Sequence, residues 1–119
     1  MTTLQARVKA LLEDTGLPVR YGYPAAWGTF PCVSWSEAGN RVLARAEGRE
    51  YLTELTYAVD VWAETPEQLA RAGAEIDARL AEAGLRRTSC LDLFEERPLL
   101  HHRALRYRAV LDPAGAVHQ

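Results

Sequence analysis

The sequence predicts an α+β domain, a mostly antiparallel sheet of about five strands packed with two helices. Two observations carry this. From Tyr51 to Ala63 the chain alternates, with Tyr51, Leu55, Tyr57, Val59 and Val61 sharing one face, the period-two pattern of a half-buried strand. It then runs into Thr65 to Gly84, where Leu69, Ala72, Ile76, Leu80 and Ala83 recur at helical spacing. The expected order is α-β-β-β-α-β-β, with an extended hairpin arm over residues 38–50.

The opening helix rests on Leu4, Val8, Leu11 and Leu12, which fall on one helical face. Thr2 and Gln5 are spaced as a capping box, Gly16 is placed to end the helix, and Pro18 follows. Val19-Arg-Tyr-Gly-Tyr23 sets Val19, Tyr21 and Tyr23 on one side of a first strand, and Pro24 to Thr29 reads as a loop. Phe30 to Ser36 is rich in strand formers, although Pro31 has no N–H to donate and belongs at a strand start, a bulge or an edge. Ala38-Gly-Asn40 and Glu47-Gly-Arg49 supply turn chemistry on either side of Arg41 to Ala46, a weaker strand or an extended arm.

In the second helix Thr65 is the N-cap, Pro66 takes the first helical position, and Gln68 completes a second capping box. Glu67, Arg71, Glu75, Arg79 and Glu82 lie toward solvent or a partner. Leu85 to Phe94 and Leu99 to Leu111 form the last two strands, joined by residues 95–98. In the final strand Leu105, Tyr107, Ala109 and Leu111 alternate with Arg106 and Arg108, giving one buried and one basic face. Residues 1–112 read as a single domain and residues 113–119 as a flexible tail.

Composition narrows the function. Across 119 residues, 14 Lys plus Arg oppose 16 Asp plus Glu, and the net charge of −2 argues against gripping nucleic-acid phosphates as the main task. Cys32 and Cys90 are far apart and without a C-x-x-C, so neither a disulfide framework nor a zinc site is expected, and each is expected to act as a small buried apolar side chain. No signal-peptide pattern opens the chain and no stretch is apolar enough to span a membrane, so the expectation is a soluble product made in the cytoplasm.

Chemistry-bearing residues do not converge on a catalytic pattern. His101 and His102 are adjacent in a strand, so they point to opposite faces and do not readily share one ion. Asp60, Glu64 and Glu67 are accounted for by strand polarity, a loop and the helix N-terminal dipole. Ser34, Ser36 and Ser89 lack a nucleophile-elbow context, and the glycines stand singly instead of forming a phosphate loop. No catalytic residue, metal ligand or cofactor is expected. The candidates that remain are assembly contacts: Trp27 in a small-residue loop, the series Arg41, Arg45 and Arg49, and the series Arg103, Arg106 and Arg108.

Several phrases together resemble the tail-terminator and head–tail joining proteins of long-tailed bacteriophages and prophage-like particles. They are the opening helix, Val19-Arg-Tyr-Gly-Tyr23, Phe30-Pro-Cys-Val33, the strand ending Tyr57-Ala-Val-Asp-Val-Trp62, the long helix closed by Gly84, and His102-Arg-Ala-Leu-Arg-Tyr107. The resemblance runs from about Leu4 to Asp112. It implies a structural virion protein forming a homo-oligomeric ring, usually a hexamer, that caps the tail tube, halts its polymerisation and meets the head connector. Its implied partners are the tail-tube protein and the head-completion or connector protein, with DNA passing through the lumen without sequence-specific binding and no membrane involved. The competing readings are a head-completion, stopper or tube-like component, or, from another class, a small cytosolic ligand-binding domain or enzyme using His101 or His102 with an Asp.

Overall fold

The computed structural model describes residues 3–22, 29–46, 49–95 and 100–118. In chain order these form α1 (Thr3–Glu13), β1 (Val19–Tyr21), β2 (Cys32–Ala46), β3 (Arg49–Ala63), α2 (Pro66–Glu82), β4 (Arg86–Glu95), β5 (Leu100–Leu111) and β6 (Val117–His118). The sheet order is β1-β2-β3-β5-β4, with β6 on β5. β1 joins β2 in parallel and every other pairing is antiparallel. The architecture is the expected α+β one, in the expected order, with β6 added.

Both helices lie on one face of the sheet. α2 packs on β3, β4 and β5, and α1 packs on α2. The alternation in β3 puts Leu55, Tyr57, Val59 and Val61 into the core, where they meet Leu105 and Tyr107 of β5 and Ile76 and Leu80 of α2. Each such apolar side chain contributes roughly 1.5–3 kcal/mol by leaving water. Trp35 of β2 is also in this core, with Tyr57 at 6.1 Å between ring centroids and the exposed Tyr21 edge-on at 4.8 Å.

Local chemistry sets the helix ends. Gly16 takes φ +80°, the left-handed conformation that closes α1. At α2 the Thr65 hydroxyl accepts the Gln68 N–H at 3.1 Å, while Gln68 Oε1 accepts the N–H of Glu64, one residue before the cap, at 3.1 Å. Thr2, expected to cap α1, lies outside the described residues. Arg79 binds both Glu75 and Asp14, tying the end of α1 to α2.

Two expectations change. Ala38-Gly-Asn40 is not a turn: β2 runs continuously through it, and a bulge shifts the register between Glu37 and Gly39. Cys32 is buried as expected, but Cys90 sits exposed on β4, an edge strand of the sheet. In residues 112–118 Asp112 Oδ1 accepts the N–H groups of Ala114 and Ala116, and Val117 then pairs with Leu111.

The arm is a hairpin of two 15-residue strands, β2 and β3, paired out to Ala46 and Arg49. β5 accompanies β3 only as far as the Thr53–Leu111 pair. Beyond that row the hairpin is a two-stranded ribbon, and the molecule measures 53 × 24 × 23 Å.

Candidate functional site

Strand parity decides which residues share the sheet face turned away from the helices. Ser34, Asp60, Ala104 and Arg106 belong to it, because Ser34 pairs with Asp60, Asp60 with Ala104, and Arg106 with Ala58. Arg20 joins through its pairing with Ser34, and Arg86 through its pairing with Arg108. The bulge at Gly39 reverses the parity of β2 beyond it, so Arg41 lies opposite Glu54 and turns to this face too. Among the described residues no helix packs on this surface.

Glu54 is its electrostatic centre. It receives the Arg108 guanidinium in a short charge-assisted bond and Arg41 Nη2 at 3.2 Å. The hydrogen bond from Arg108, reinforced by the positive charge of Arg41, holds the Glu54 carboxyl below its ordinary value. These contacts bind the base of the arm to β5.

A cavity of about 490 Å³ lies farther along the same face, lined by residues that include Ser34, Ser36, Asp60, Trp62, His102 and Arg106. His102 is buried, stacks on Trp62 at 3.7 Å and 14° between planes, and shares a 2.7 Å hydrogen bond between Nε2 and Asp60 Oδ1. The sequence placed an Asp beside His101 or His102 in its enzyme alternative, and the fold brings Asp60 and His102 together. Asp60 takes Nε2, and Nδ1 is shielded from solvent. The pair couples β3 to β5. No group of three or more His, Cys, Asp or Glu side chains that could hold a metal ion occurs among the described residues, and no described helix is long and apolar enough to cross a membrane.

The Arg103, Arg106, Arg108 series divides between two faces. Position 103 is odd and 106 and 108 are even, so Arg103 lies on the helix side. There it grips Asp92 with two bonds, Nε–Oδ1 at 2.7 Å and Nη2–Oδ2 at 3.0 Å, and packs over Gly73 of α2. The paired guanidinium holds the Asp92 carboxyl below its usual range. Tyr107 on the same side is pushed up, first by burial and then by the hydrogen bond it donates to Asp77 at 3.0 Å.

Arg41 and Arg108 meet on Glu54, and Arg106 lines the cavity. Arg45 and Arg49 lie in the backbone of the ribbon; their side chains, and all of Trp27, fall outside the described residues. Arg20, Arg86 and the exposed Leu91 and Leu93 were missed as members of this face. For Arg20 the signal was available, since it alternates with Val19 and Tyr21. For Arg41 it was not, because the bulge is invisible in a period-two pattern. No curated protein sequence matches the chain. A family model described as tail completion protein gp17 matches residues 3–112, so the chain belongs to that family and is a structural component of a phage tail.

Proposed function

We propose that this protein forms a ring, of six copies, at the head-proximal end of a phage tail, where it ends tail-tube polymerisation and joins the tail to the head connector. The reading is carried by family membership over residues 3–112. It is supported by a shape suited to assembly: a two-stranded ribbon projects from the sheet, and β4 offers an exposed edge bearing Leu91, Leu93 and Phe94. An isolated two-stranded ribbon is marginal in water and gains stability by meeting another surface. Unpaired strand edges are natural sites for contact with a second chain. DNA passes through the lumen without sequence-specific binding, and the work is done by shape and self-association instead of bond chemistry.

Light scattering and negative-stain imaging of the purified protein test this, together with binding to preformed tail tubes. Discrete rings that bind one tube end and stop further growth are the expected result. Filaments would identify a tube subunit. A strict monomer at tens of micromolar that leaves tube growth unchanged would sink the proposal.

A further inference from the structure

The two layers of the molecule carry opposite charge. Among the described residues the sheet face bears Arg20, Arg41, Arg86, Arg106 and Arg108 against the carboxylates of Glu54 and Asp60. In the helix layer, residues 3–14 and 64–82 hold seven Asp and Glu against four Arg and Lys.

Arg106 sharpens the contrast. Its guanidinium is half-buried and bonds to the Leu105 carbonyl at 3.1 Å, with no carboxylate within ion-pair distance among the described residues. A cation so placed gains from a carboxylate brought to it. The face around it also exposes Leu91 and Leu93, surface that suits a protein partner better than a phosphate backbone. On the outer side of α2, exposed Ala70, Ala74 and Ala78 leave room for close approach between Glu67, Glu75 and Glu82, which outnumber the one exposed cation among them, Arg71.

We infer that the acidic helix layer of one copy seats on the arginine-bearing sheet face of the next, so that the ring closes through a face-to-back contact between opposite charges. Such a contact is heterologous, the kind that closes a ring when the rotation between copies permits. It rests on the ring reading above and names the surfaces that reading leaves open. It also removes a basic wall from contact with passing DNA, where every added phosphate contact would increase grip.

The test uses two charge-reversed proteins, Arg86→Glu/Arg106→Glu on the sheet face and Glu67→Arg/Glu82→Arg on α2, each checked for folding by circular dichroism. Native mass spectrometry and light scattering then follow assembly of each alone and of an equal mixture. Each protein alone should associate at least about tenfold more weakly than wild type. Their mixture should regain the ring with the two variants alternating, because every contact again joins opposite charges, and regained assembly also shows that both variants are folded. Wild-type-like assembly by either variant alone, or a mixture that remains dissociated, overturns the inference while leaving the ring intact. So does salt-sensitive duplex binding by wild type that Arg86→Glu/Arg106→Glu abolishes without changing the oligomer. A monomeric wild type instead removes the ring reading itself.

Discussion

Glu54 takes two guanidinium groups, Arg108 and Arg41, at the point where the arm leaves the sheet. Its carboxyl is depressed by them, so its stabilising effect is fully present above the ordinary value of 4.5 and is lost as pH falls through the folded-state value. Glu54→Gln should therefore unfold at lower urea than wild type at pH 7, and the gap should narrow as pH falls below the ordinary value of 4.5. Midpoints measured across pH at equal m-value check this, and a gap that persists unchanged at low pH would assign the effect to packing. On the other face, an added Cβ at Gly73 would come within 2.7 Å of Arg103 Nη1 and 3.2 Å of its Cδ. Ala outranks Gly in a helix interior by about 0.8–1.0 kcal/mol, yet Arg103 is held by Asp92 and yields only by weakening that grip. Gly73→Ala is expected to be neutral or destabilising in wild type and to gain close to about 1 kcal/mol in an Arg103→Ala background. Urea unfolding of the four proteins closes the cycle, and an equal gain in both backgrounds would show that Arg103 moves aside freely.

At the scale of elements, α2 was legible because its signals are local and agree. Thr65, Pro66, Gln68 and the Leu69, Ala72, Ile76, Leu80 stripe each act within a few residues, and all appear as expected. Thr65→Ala should cost about 1 kcal/mol, read as a shift in urea midpoint, because the Gln68 N–H then loses its acceptor. A Thr65→Ser protein, which keeps the hydroxyl, should recover most of that loss. β3 and β5 were legible for the same reason, their core side chains recurring at every second position, Leu55 to Val61 in one and Leu105 to Ala109 in the other. β2 was harder to read, since Ala38-Gly-Asn40 carries turn residues while the observed feature is one extra residue opposite β3. A bulge and a turn draw on the same residue types, and only the partner strand decides between them. The parity flip that follows is what places Arg41 on Glu54, and β6 escaped notice because two residues are too short to show a period.

At the scale of the whole molecule the sheet is supported unevenly. From Cys32 to Val42 the hairpin shares its ladder with β5 and its inner face with α2 and the core, whereas past the Val42–Thr53 pair its strands pair only with each other among the described residues. Stability is therefore concentrated in the two-layer body, and the ribbon belongs to the low-stability end of the structure. Replacing residues 43–52 by Asn-Gly, a two-residue turn suited to a hairpin, should leave a folded body. Its unfolding should lie within about 1 kcal/mol of wild type, because that body keeps Glu54, Arg108 and every core residue found among the described side chains of the sheet. In the proposed ring, assembly should behave differently, since a ribbon that reached a neighbouring copy or ring would contribute contact that the shortened protein lacks. Light scattering should show the shortened protein at least about tenfold more dissociated at equal concentration. Amide exchange in full-length protein should show protection of residues 44–46 and 49–52 appearing only on assembly. Rings that form with unchanged stability from the shortened protein would mean that the ribbon faces outward, and would leave the charged layers of the body to hold neighbouring copies together.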